Sequence, residues 1–288
     1  MRMTSVDIKV TASFLTVAFL AAGALGAVQP MTGIPVEVIQ LTQFGPALGV
    51  GLAALLWPRR VRELLTGTGT GTGGIVLGGV PGSGSGRAGR AGRAALLIAT
   101  APLVIAVSTA AYAALGGDAR TAATDHPLAL IAAAQLLGAC GEEIGWRCLL
   151  QPVLRTRFGP LTASVTVGAV WGVWHVQVFA QHPVYAAAFL TATVSMSVVM
   201  GLALDGAPSH RLLLAGGFHT LVNLGMLLFM DEEAGTVLPM VLFGGSCLTA
   251  AALWTGPLVR RGRGRKRGRP AQTPPAPARV DTIMEDLR

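Results

Sequence analysis

The chain has 288 residues, 52% of them hydrophobic and 12% charged, with a mean hydropathy of +0.59. A soluble domain carries about 25% charged residues, so this composition excludes a large soluble core and indicates a membrane protein. The formal net charge of +8 raises nucleic acid as a partner, but the basic residues are distributed as a bilayer requires, and nucleic acid is not expected. Cys140, Cys148 and Cys247 all lie in apolar runs. They form neither a disulfide framework nor a Cys-x-x-Cys zinc site.

Apolar stretches of about 20 residues span a bilayer as helices. Eight are expected, over 8–28, 36–57, 94–115, 127–151, 161–180, 185–204, 212–230 and 237–257. If they alternate, 20 of the 22 basic residues fall on one side. These include Arg2, Lys9, Arg59, Arg60, Arg62, Arg87, Arg90, Arg93, Arg155, Arg157, Arg211 and those after the eighth span. The other side receives Arg120 with Asp118, Asp125, Asp231, Glu232 and Glu233, and Arg147 lies within the membrane. By the positive-inside rule, both termini are cytoplasmic. The expected fold class is all-α: a polytopic membrane helical bundle of about eight transmembrane helices. A second reading of the start is a signal peptide cleaved near 24–27, which would leave seven spans.

Between the second and third spans, residues 66–92 read as a flexible Gly-rich cytoplasmic linker. Gly69, Gly71 and Gly74 form a Gly-x-Gly-x-x-Gly there, without the preceding strand or following helix that dinucleotide binding needs. The tail, 258–288, carries RRGRGRKRGRP and then a Pro/Ala stretch. It reads as a disordered polybasic segment held at anionic head groups. Its RGRP also resembles a minor-groove-binding core, a weak match beside a membrane.

Within the spans, ionisable residues cost roughly 2.5–3.5 kcal/mol each at a helix centre, and they normally face a bundle interior or a wet cavity. Span four holds Glu142, Glu143 and Arg147. Glu143 and Arg147 stand four apart in the favourable order for a helical ion pair. Glu142 points about 100° away and is left for chemistry. Span five places Trp171 one turn before His175, with Trp171 read as packing. Span seven places His219 one turn before Asn223. These groups are expected to converge in a cavity open to the cytoplasm. A carboxylate, two histidines and an amide on three helices can activate water and hold an oxyanion.

The three pieces resemble the motifs of the CAAX-protease and bacteriocin-processing membrane proteins, the CPBP family, which includes the type II CAAX prenyl endopeptidases. Glu-Glu-x-x-x-Arg is matched by EEIGWR, Glu142 to Arg147. Phe-x-x-x-His is matched by WGVWH, Trp171 to His175, with Trp in place of Phe. His-x-x-x-Asn is matched by HTLVN, His219 to Asn223. Cys148 stands where the family pattern suggests Gly. The resemblance covers about 127–230 and implies a domain plan. Residues 1–126 hold N-terminal transmembrane helices with the linker, 127–230 a CPBP-like catalytic core, 231–257 the last transmembrane helix, and 258–288 the basic tail.

The resemblance implies an intramembrane endopeptidase acting on a membrane-associated peptide or protein. Glu142 would be the general base, with His175 helping to hold the water. His219 and Asn223 would donate to the tetrahedral oxyanion, and Glu143, Arg147 and Trp171 would support them. Either no cofactor is needed, or Zn2+ is held by Glu142, His175 and His219. The Ala-, Gly- and Arg-heavy composition suggests a bacterial plasma membrane. Two other classes remain: a non-catalytic scaffold or bacteriocin-immunity protein, and a transporter using the buried acids and histidines as a proton relay. No inverted repeat is evident for the latter.

Overall fold

A segment inside a bilayer must satisfy its own backbone, and a helix does so without a neighbour. The computed structural model describes residues 3–67, 84–118, 124–205, 210–230 and 235–267, and no strand occurs among the described residues. The helices are α1 (Ser5–Thr32), α2 (Gly45–Leu56), α3 (Pro58–Thr66), α4 (Gly84–Ala114), α5 (Leu128–Gly145), α6 (Gln151–Arg155), α7 (Pro160–Trp174), α8 (Pro183–Ala203), α9 (Arg211–Phe229) and α10 (Val237–Arg267). Short 3-10 segments occupy Leu41–Phe44 and Val176–Ala180. A π-helical turn, Trp146–Leu150, joins α5 to α6.

Six helices are long and apolar enough to cross a membrane: Ser5–Thr32, Gly89–Ala114, Leu128–Arg155, Pro183–Ala203, Arg211–Phe229 and Val237–Gly256. The other two expected spans are shorter than 36–57 and 161–180 suggested. The first is a loop and a 3-10 turn before α2, whose 12 residues start at Gly45 with Pro46 in the first turn. The second stops at Trp174, because His175 has ψ 63 and leaves the helix. Its ring Nδ1 lies 2.9 Å from the Trp171 carbonyl, the oxygen that the next backbone N–H of a continuing helix would take. Helical backbone also takes in residues 84–92 and 258–267, expected as linker and tail; residues 68–83 lie outside the described residues. The α4 backbone is helical from Gly84 and the α10 backbone to Arg267. The Gly69–Gly74 motif and residues 268–288 lie outside the described residues.

The chain forms two compact units, Met1–Trp254 and Thr255–Arg288. Of the second, only the α10 backbone to Arg267 is described. In the first, polar contacts at the helix ends fix which ends lie together. Arg60 Nη2 meets Asp7 at 2.8 Å and Arg155 Nε meets Asp205 at 3.0 Å. The Arg93 guanidinium donates to the Leu202 carbonyl. These contacts gather the start of α1, α3, the start of α4, the end of α6 and the end of α8 at one basic end of the bundle. At the opposite end, Gln29 Nε2 donates to the Ile39 carbonyl at 2.8 Å and Gln135 Nε2 to the Glu37 carbonyl at 3.2 Å. The spans therefore alternate as the charge pattern required.

Close helix approach rests on small residues, since lipid provides little hydrophobic drive between helices. A Cβ at Gly168 of α7 would lie 2.6 Å from Val194 Cα of α8. One at Gly145 would lie 2.7 Å from both Phe14 Cε2 and Pro46 Cβ. Gly145 therefore seats α5 against α1 and α2. Phe14 then packs edge-on against Trp146 with ring centroids 5.4 Å apart, and Trp174 Nε1 donates to the Ala18 carbonyl at 3.1 Å. Through these contacts α1 is part of the core around the polar residues.

Candidate active site

The polar residues singled out in the sequence come from α5, the π turn, the end of α7, and α9. Glu142, Arg147, His175 and His219 meet at the indole of Trp171, which is 1% exposed, whereas Asn223 contacts Gln135 instead. The indole Nε1 donates to Glu142 Oε2 at 2.7 Å. Arg147 Cζ lies 4.4 Å above its ring, a cation–π distance. The rings of His219 and His175 approach it edge-on, with centroids at 5.2 and 5.9 Å. Trp171 is thus more than the packing residue the sequence suggested. A buried indole N–H needs an acceptor, and that requirement was the available signal.

Glu143 makes the pair expected with Arg147, Nε to Oε2 at 3.2 Å. It also does something the spacing could not show: its Oε1 lies 3.0 Å from His219 Nδ1 on α9. One carboxylate therefore joins the local ion pair to a distant helix. The Arg147 contact is a close approach of charges, and its three guanidinium nitrogens have no aligned acceptor among the described residues. Glu142, Glu143 and Arg147 are each at most 1% exposed. A cavity open to the cytoplasm was expected; among the described residues, the acids are instead covered by the helices around them.

Glu142 and Glu143 point about 100° apart on α5, and Arg147 lies in the π turn that follows. The Trp146 N–H bonds to the carbonyls of both Glu142 and Glu143, and the Gln151 N–H reaches back to the Trp146 carbonyl. The extra residue widens the turn, and all five residues Trp146–Leu150 are buried. Such turns frequently mark functional sites.

Hydrogen-bond geometry assigns the ring protons. The Trp171 carbonyl only accepts, so His175 Nδ1 is protonated, and in the neutral ring Nε2 carries the lone pair. His219 Nδ1 faces a carboxylate and donates to it. Donation from His219 Nε2 as well requires both ring nitrogens to be protonated. The His175 ring also packs on Trp174 and Phe189, with centroids at 4.8 and 4.9 Å. Asn223 is half-buried, and its Nδ2 donates to Gln135 Oε1 at 3.2 Å. Gln135 lies outside all three motifs and was missed from the sequence.

The zinc alternative named Glu142, His175 and His219 as ligands. Among the described residues no group of three or more His, Cys, Asp or Glu stands where it could hold a metal ion. Glu142 takes the Trp171 N–H on Oε2, and His219 meets Glu143 through Nδ1.

Apolar helices enclosing a sealed cluster of carboxylates, imidazoles and an indole define a polytopic membrane protein with a polar site inside its membrane-spanning bundle. Residues 124–225, which contain every motif residue from Glu142 to Asn223, match the family described as type II CAAX prenyl endopeptidase Rce1-like. The chain is also similar to lysostaphin resistance protein A of Staphylococcus aureus. It is 25% identical over 141 residues to the protein of strain Newman and 26% identical over 137 residues to that of strain MRSA252. Each match takes in 47% of this chain and 32% of the relative. The resemblance read from the three motifs is borne out over this segment.

Proposed function

We propose that the chain is an intramembrane endopeptidase that hydrolyses a peptide bond of a membrane-associated peptide or protein by glutamate-activated water. The observation that carries this reading is the convergence of Glu142, Arg147, His175 and His219 on the Trp171 indole, within the segment that matches an endopeptidase family.

With Oε2 held by Trp171, Glu142 Oε1 is the basic atom that takes a proton from water. The lone pair of His175 Nε2 accepts the second water hydrogen and orients the nucleophile. As the water oxygen bonds to the scissile carbonyl carbon, negative charge collects on the carbonyl oxygen. Asn223 Nδ2 has a second N–H to donate to that oxyanion, and doubly protonated His219 donates from Nε2. The C–N bond then breaks, and the proton held by Glu142 passes to the departing amine. Glu143 and Arg147 hold His219 and the indole in place. In this scheme the residues act without a metal. Analysis of purified protein for bound zinc, in wild type and in His175→Ala and His219→Ala, checks that point. One tightly held zinc per chain, lost in both variants, would overturn it.

The test of function compares protein termini in two strains of the native host, one with wild-type protein and one with Glu142→Gln at matched membrane level. Ends near membrane segments that vanish in the variant identify the substrate and the bond cut. Identical termini under conditions where the gene matters would instead favour a non-catalytic scaffold.

A further inference from the structure

Each residue assigned to the oxyanion on α9 leans on an acceptor from α5. His219 has Glu143, at 3.0 Å, and Asn223 has Gln135, at 3.2 Å. Gln135 is buried, at 7% exposure, and its amide has a fixed polarity. Its Nε2 donates to the Glu37 backbone carbonyl at 3.2 Å. A carbonyl can only accept, so the NH2 end of Gln135 must face Glu37 and its Oε1 must face α9. That oxygen in turn dictates that Asn223 presents its NH2 end, not its carbonyl, toward α5. An unrestrained asparagine amide has two nearly isosteric orientations, and only one offers a donor to an oxyanion.

We propose that Gln135 is a positioning residue that fixes the amide of Asn223 in its donor orientation, using the Glu37 carbonyl in the loop between α1 and α2 as the reference acceptor. This rests on the oxyanion role given to Asn223 above. It also carries the site beyond the segment that matches the family, since residue 37 lies outside 124–225.

The test uses full-length protein in detergent or nanodiscs, with an internally quenched peptide spanning a bond found by the comparison of termini. Gln135→Leu is expected to lower kcat by about tenfold or more, the scale of a mispositioned group, with KM within about twofold. In an Asn223→Ala background the same change is expected to cause no further loss, because the residue it orients is gone. Gln135→Glu keeps an oxygen facing Asn223 and, when protonated, a donor facing Glu37, so it is expected to restore most of kcat. It also serves should Gln135→Leu fail to fold. Wild-type kcat in Gln135→Leu, a further loss on top of Asn223→Ala, or a Gln135→Glu variant as slow as Asn223→Ala would each overturn the proposal while leaving the endopeptidase reading intact. No cleavage by wild type, equal to Glu142→Gln, would overturn the endopeptidase reading and this inference with it.

Discussion

Trp171 touches more of the proposed chemistry than any other motif residue, and its bond to Glu142 can be removed without removing its ring. Trp171→Phe retains most of the surface against Arg147, His175 and His219 but deletes the N–H that holds Glu142 Oε2. Hydrogen bonds to charged groups are worth about 1.5–3 kcal/mol. Turnover in Trp171→Phe is expected to fall roughly ten- to a hundredfold if that bond is made in the transition state, and the thermal midpoint in detergent to fall with it, because buried Glu142 Oε2 loses its donor. Equal turnover in the two proteins would show that the bond is incidental. The motif residues themselves were legible in the sequence because ionisable groups in an apolar run are conspicuous. Their partners were less so. The spacing of Glu143 and Arg147 announced a local pair, whereas the link to His219, 76 residues away, depends on how α5 meets α9. Gln135 was passed over because an uncharged polar side chain stands out little in an apolar segment, and Trp171 was read as packing because its N–H has no visible acceptor in the sequence.

At the scale of elements, α5 is held on one side by its glycine contact and on the other by charge. A Cβ at Gly145 collides with Phe14 and Pro46, whereas one at Gly23 of α1 meets nothing within 4 Å. Gly145→Val is expected to destabilise the protein by about 1–3 kcal/mol through overpacking, and Gly23→Ala to leave it unchanged or up to about 1 kcal/mol more stable. Melts monitored by helical circular dichroism compare the two. For the charges, Arg147→Met leaves Glu143 buried with one partner fewer, which costs about 3–5 kcal/mol. Arg147→Met with Glu143→Leu removes both charges and is expected to regain most of that stability. The double variant should remain inactive, because His219 loses the acceptor for Nδ1. Helix ends were the least legible features of this level. The early stop of α7 is set by a ring nitrogen of His175 competing for a backbone carbonyl, and no hydropathy pattern encodes that.

For the whole molecule, the alternation of spans was read from the charges, and the end-to-end contacts of α1, α3, α4, α5, α6 and α8 agree with it. Which end faces the cytoplasm is tested by single cysteines in a background with Cys140, Cys148 and Cys247 replaced. Cysteines in place of exposed Arg59 and Arg157 are expected to react with an impermeant maleimide only in inverted vesicles, and one in place of exposed Asp125 only in intact cells. The reverse pattern would invert the topology.

The two partners of Glu143 also bear on how such a chain is made. A ribosome delivers α5 to the membrane well before α9, so for the time taken to synthesise some 70 residues His219 does not exist. During that interval Arg147, four residues from Glu143, is the available counter-charge, and it travels in the same helix. The ion pair is therefore the insertion form of the segment, and the histidine bond is added only when α9 arrives. In the proposed scheme this order of assembly puts the base in the bilayer first and the oxyanion donors last, so the site is incomplete until α9 arrives.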